Sequence, residues 1–143
     1  MLTIYSRIVV PFDGSVLSQK ALEMAIKLIE QDKRIELDVL TVVNNEITGK
    51  PVYNVELQQE SQRRAAAELQ TTIKEKLALL PNRTRTIVLD GDPSKMILEF
   101  AKENNSDLII MGSRGLSGLK ELYLGSVSHH VVQKAACPVL IVK

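Results

Sequence analysis

An α/β fold built on a single open parallel sheet of five strands, with helices on both faces, is what this sequence predicts, and three observations predict it. Short apolar runs, Ile8 to Phe12 and Leu108 to Met111 above all, are the mark of strands buried on both faces, as in the middle of a parallel sheet. Between successive runs lie segments whose apolar residues recur at three- and four-residue steps, so strands alternate with amphipathic helices. The 143 residues make one domain, spanning 1–143, large enough to bury roughly two thirds of the surface its unfolded chain exposes.

Taken in order, Ile8 to Phe12 is the first strand, ended by Asp13-Gly14-Ser15. Ser15 can cap a helix whose Leu17, Ala21, Met24, Ala25, Leu28 and Ile29 form one apolar face. Ile35 to Val43 is the second strand, alternating in IELDV and apolar by its end. Asn44 to Asn54 carries Gly49 and Pro51 without periodicity and reads as a loop leaving the carboxyl end of that strand. Its Lys50 can reach a phosphate or serve as a solubilising surface residue.

From about Val55 to Leu80 a long helix is expected, with Ala65, Leu69, Ile73, Leu77 and Leu80 inside and Pro81 beyond its end. Solvent accounts for its polar face of Gln, Glu and Arg. Thr84 to Asp90 is a strand with charged and hydroxyl side chains in its first half, which suits a place near the sheet's edge. Asp92-Pro93 supplies an N-cap and a first-turn proline for a helix that buries Met96, Ile97, Phe100 and Ala101. Leu108 to Met111 is the fourth strand. A last helix buries Val127, Val131, Val132, Ala135 and Ala136, with Ser126 as its N-cap, and Val139 to Val142 closes the chain as a strand. Parallel crossovers are right-handed, and the most apolar strands, first and fourth, belong in the middle.

The functional signal lies between the fourth strand and the last helix. Ligands of open α/β sheets bind outside the carboxyl ends of strands, and Gly112 marks such an end, where a residue without Cβ lets backbone approach a ligand. Gly115 extends the bare surface. Beyond Gly125, the first turn of a helix presents unpaired N–H groups and a partial charge of about +0.5. With the hydroxyls of Ser126 and Ser128 and the cations Arg114 and Lys120 beside it, the natural occupant is a polyphosphate. Each glycine alone is explained by a turn; their combination is not. G-x-x-x-x-G-K-[ST] is absent, so this is no P-loop, and no G-x-G-x-x-G follows the first strand.

The pattern G-x2-G-x9-G-S at Gly112, Gly115, Gly125 and Ser126, with IVVPFDGS at Ile8 to Ser15 and CPVLIVK at Cys137 to Lys143, resembles the universal stress protein family, specifically its ATP-binding branch. The likeness runs the whole length of the chain. It implies a Rossmann-like sheet of the adenine nucleotide alpha hydrolase type, with strand order 3-2-1-4-5 and the nucleotide at the switch point between strands 1 and 4. It further implies that Asp13 holds the ribose, where a turn or cap would otherwise explain the aspartate. Pro11 and Val42 would wall the adenine, where plain core would otherwise explain Val42. The nucleotide-binding set is then Pro11, Asp13, Val42, Met111, Gly112, Arg114, Gly115, Gly125, Ser126, Val127 and Ser128. Thr41 departs from the family, many of whose members have histidine there. The resemblance also implies a homodimer in which Val139 to Val142 pairs with its own copy, where the chain's own helices could otherwise cover that edge.

Composition bounds the alternatives. With 18 basic and 17 acidic residues the net charge is +1, and there is no basic stripe for nucleic acid or membrane. Two Phe, three Tyr and no Trp make a poor base-stacking platform. No apolar run approaches the ~20 residues of a membrane span, and the amino terminus lacks a signal-peptide core, so a cytoplasmic protein is expected. The single Cys137 reads as a structural thiol. ATP, with the Mg or Mn a triphosphate ordinarily carries, is the expected ligand, although no carboxylate cluster marks metal ligands. A slow ATPase or nucleotidyl transferase is the alternative. It would need a base or a residue orienting water, yet Asp13 lies at the ribose end and Glu121 in the loop. His129 and His130, about 100° apart on a helix, cannot share one target.

Overall fold

In the computed structural model, which describes residues 5–44, 55–115 and 124–143, strand and helix alternate from end to end. The elements are β1 (Arg7–Pro11), α1 (Val16–Ile29), β2 (Glu36–Val43), α2 (Val55–Leu77), β3 (Thr84–Asp90), α3 (Pro93–Glu103), β4 (Leu108–Gly112), α4 (Ser126–Lys134) and β5 (Val139–Val142). All pairings are parallel and the order is β3-β2-β1-β4-β5, as expected. In register, Arg7 lies beside Glu36, Ile8 beside Leu108, Val43 beside Asp90, and Met111 beside Ile141.

The central strands are dry because helices cover both faces. On one, Ile8, Val10, Leu37, Val39, Leu108 and Ile110 pack with Ala21, Leu22, Ala25 and Ile29 of α1 and Ile73 and Leu77 of α2. On the other, Val9, Leu40, Ile109 and Met111 pack with Ile97, Phe100 and Ala101 of α3 and Val131 of α4. The strands therefore read as continuous apolar runs rather than as alternation.

Several expectations about single residues are corrected. Met24 is exposed, and the buried stripe of α1 runs through Ser18, Ala21, Leu22, Ala25 and Ile29. In α2 Ala65 is exposed while Ala66 and Gln70 are buried. Gln70 is not part of a solvated face: its amide donates to Thr41 Oγ1 (2.7 Å) and the Ile87 carbonyl (3.3 Å), while Ile73 and Leu77 are buried as expected. The helix ends at Leu77, short of Leu80. Ala136 lies beyond α4, and Val132 is exposed.

Polar anchors set the opposite, amino-terminal end of the sheet. Asp107 accepts from the backbone N–H groups of Ser6 and Arg7 and from the Ser6 hydroxyl. Buried Asp38 receives a two-pronged grip from Arg85, Nε to Oδ1 at 2.7 Å and Nη2 to Oδ2 at 2.9 Å. The buried Asn82 amide donates to the carbonyls of Ile29, Asp32 and Ile35, closing the turn from α1 into β2. No described helix is long and apolar enough to cross a membrane.

Candidate functional site

Because every strand is parallel, the carboxyl ends of β1, β3 and β4 share one edge of the sheet, and α1, α3 and α4 all begin there. Two of these starts are capped as the sequence indicates. Ser15 accepts from Ser18 N (3.2 Å), and Asp92 accepts from Lys95 N (3.1 Å) with Pro93 in the first turn.

The third start differs from expectation. Gly125, not Ser126, is the N-cap of α4, in an extended conformation (φ −69°, ψ 166°) with no side-chain cap. Its carbonyl accepts the first helical bond from His129 N (2.9 Å), and its N–H donates to the Ser113 carbonyl (2.7 Å). The N–H groups of Ser126, Val127 and Ser128 are thus left without helical acceptors. The Ser128 hydroxyl, nearly buried, donates to the same Ser113 carbonyl (2.8 Å). It fastens the helix to the end of β4, so what Ser128 can offer an anion is its backbone N–H.

A cleft of about 580 Å³ opens between these ends. It is lined by Pro11, Asp13, Val42, Met111, Gly112, Arg114, Gly115, Gly125, Ser126, Val127 and Ser128 together, although they come from four separate parts of the chain. Phe12, Ser15, Ser18, Leu40, Asn44, Asp92, Pro93 and Ile97 complete the wall. Nothing in the glycine pattern points to the β3–α3 turn, but Asp92-Pro93 directly after a strand was the available signal.

The two shores meet closely. A Cβ built on Gly115 would stand 2.5 Å from Asp13 Oδ2, so the absence of a side chain there leaves room for the aspartate. Asp13 itself is held by Ser15 N, which donates to its Oδ1 (2.9 Å). Gly112 is bare for another reason than the sequence suggests: its Cβ would come within 2.8 Å of Leu17 Cβ and 3.0 Å of the Leu17 carbonyl carbon. Close packing of α1 on β4 requires that glycine. At Gly125 a Cβ would meet nothing nearer than 3.5 Å.

Val42 packs with the α3 and α4 cluster, whereas its neighbour Thr41 bonds to α2. The family histidine position thus points away from the cleft, as period-two alternation requires. His129 and His130 are exposed and do not line the cleft. Lys50, Lys120 and Glu121 lie outside the described residues. Among the described residues no group of three or more His, Cys, Asp or Glu is placed to hold a metal ion.

The model of the "Universal stress protein family" matches residues 4–143. Universal stress protein YxiE of Bacillus subtilis is 37% identical over 148 residues, covering 97% of this chain and 99% of that protein. Among solved structures, universal stress protein UspA from Lactobacillus plantarum superposes with a TM-score of 0.89 at 23% identity, covering 99% of this chain and all (100%) of that one. A universal stress protein in complex with cAMP superposes with a TM-score of 0.73 at 22% identity, covering 99% of each chain. The Arabidopsis thaliana family protein At3g01520 with AMP bound gives 0.73 at 20% identity, covering 96% of this chain and 91% of that one.

Proposed function

The chain belongs to the universal stress protein family, and from that premise we propose that it is an ATP-binding member of the nucleotide-binding branch, in which the nucleotide is a structural or regulatory ligand in the stress response. The observation that supports this most is the meeting of the eleven residues named above around one cleft, with three helix amino ends turned toward it. The N–H groups of Ser126, Val127 and Ser128, with Arg114 beside them, take the phosphates. Asp13 takes the ribose hydroxyls, and Pro11, Val42 and Met111 wall the base. The solved relatives bound to AMP and cAMP support an adenine nucleotide as the class of ligand. A divalent ion brought by ATP would draw its ligands from phosphate oxygens and water.

Titration calorimetry with ATP tests the reading. The wild type binds, and ATP at a hundred times its dissociation constant raises stability by about 2.7 kcal/mol. Gly125→Val should abolish binding while the protein stays folded, since its Cβ has space in the fold but its branches fill the mouth of α4. Asp13→Ala should weaken binding by about 1.5–3 kcal/mol, the worth of a hydrogen bond to a charged group. Undiminished affinity in Gly125→Val would show the phosphates to lie elsewhere.

A further inference from the structure

We infer that Leu69 of α2, which does not line the cleft, is a positioning residue for Asp13 and so governs how strongly the site holds the ribose hydroxyls, an inference that rests on the adenine-nucleotide reading above. Asp13 stands two residues past the end of β1. Phe12 N still donates to the Leu40 carbonyl (2.8 Å), and beyond that bond the chain leaves the sheet. The carboxylate is turned across the cleft: Oδ1 accepts from Ser15 N (2.9 Å), and Oδ2 is the atom a Cβ on Gly115 would meet first, at 2.5 Å.

Gly14 is the loose joint of this turn. Its φ of +87° lies where glycine goes freely, and a glycine has more alternative conformations open to it than any other residue. From within, the turn is held by the Ser15 N bond to Asp13 and by the Gln19 side chain, whose Nε2 donates to the Gly14 carbonyl at 3.3 Å from an exposed position. Both bonds run forward to α1. The brace from outside is Leu69. The three heavy atoms nearest a Cβ built on Gly14 are Leu69 Cδ2 (3.2 Å), Cδ1 (3.4 Å) and Cγ (4.0 Å), so the end of that side chain lies on the bare α-carbon. Leu69 is itself seated on the core cluster that holds Phe12, Ile73 and Leu77, and its neighbour Gln70 ties the same turn of α2 to Thr41 on β2 (2.7 Å). A group that orients a ligand is only as well placed as the packing behind it. Removing the Leu69 side chain frees Gly14 to relax, and the Asp13 carboxylate moves with it.

Calorimetry with ATP and with 2′,3′-dideoxy-ATP, which lacks both ribose hydroxyls, tests this at a temperature where circular dichroism shows each variant folded. The wild type is expected to favour ATP by about 10- to 100-fold, the range of one hydrogen bond to a charged group. Leu69→Ala should cut that ratio by about 3- to 10-fold, part of the same bond, and leave the dideoxy affinity unchanged. Leu69→Met, which conserves volume, should keep the ratio. In the Asp13→Ala background Leu69→Ala should weaken ATP no further, as expected of residues that act as one. Leu69→Val, which also lacks the Cδ atoms, replaces the alanine variant if that one does not fold. A truncated Leu69 that keeps the wild-type ratio, or a Leu69→Met that loses it as fully, overturns the role of Leu69 and leaves the adenine-nucleotide reading standing. A wild type that binds both nucleotides equally removes Asp13 from the ribose and overturns the inference with it. A wild type that binds neither overturns the adenine-nucleotide reading as well.

Discussion

Gly112 and Gly125 look alike in the sequence, each a small residue bordering a loop, yet the structure gives them opposite sensitivities. Gly112 supports the Leu17 backbone at contact distance, so Gly112→Ala forces α1 and β4 apart and should cost about 1–3 kcal/mol, typical of overpacking. Gly125→Ala has room and should cost less than 1 kcal/mol, the difference between two residues at an N-cap. Urea unfolding of both variants checks the contrast, and equal losses would refute it. What a glycine is for depends on which chain segment lies over it, and that neighbour was invisible in the local pattern. Cys137 follows the same logic: it packs against the cluster beneath α3 and α4, and partial burial pushes its thiol pKa up.

At the scale of elements, caps were legible and faces less so. Ser15 and Asp92 cap their helices as their residue types indicate, because an N-cap is a bond across three residues. At α4 the start moved by one residue, since the Gly125 backbone is tied to Ser113 by a contact that local sequence does not encode. In α2 Leu69, Ile73 and Leu77 face the core as expected, and the departure is Gln70, a polar residue recruited inward by a hydroxyl on β2. The turn between α1 and β2 yields a pH prediction. Hydrogen bonds from the Arg34 side chain, then from its backbone N–H, lower the Asp32 pKa to about 2 from an ordinary 3.8. A depressed carboxylate stabilises the fold above the unfolded value and loses that contribution as pH falls from 3.8 toward 2. In Arg34→Ala, carboxyl NMR titration should find Asp32 raised toward 3.8 yet still below it, because the backbone N–H of residue 34 keeps its bond, and the larger part of its share of the acid sensitivity gone.

For the molecule as a whole, the alternation of elements and the central place of β1 and β4 were legible, because only central strands can be apolar on both faces, whereas the full order β3-β2-β1-β4-β5 was what the family resemblance implied. The order in turn gathered the cleft: Asp13 and Gly115, remote in sequence, face each other because β1 and β4 are neighbours. The base end was less legible, since it depends on which turn lies beside β2. At the sheet's margin β5 pairs only with β4 among the described strands, and Leu140 is exposed. Such an edge is a template for another strand, and pairing with a second copy across a two-fold axis is the expected use. Sedimentation should find a dimer for the wild type and a monomer for Leu140→Asp; a wild-type monomer at tens of micromolar refutes the pairing.

Ser113 is the knot in this arrangement. Its carbonyl holds both Gly125 and Ser128, while its N–H is spent on the Val142 carbonyl of the outermost strand (2.8 Å). The lip of the cleft and the rim of the sheet are therefore laced through one residue, and neither can be tugged without the other feeling the strain.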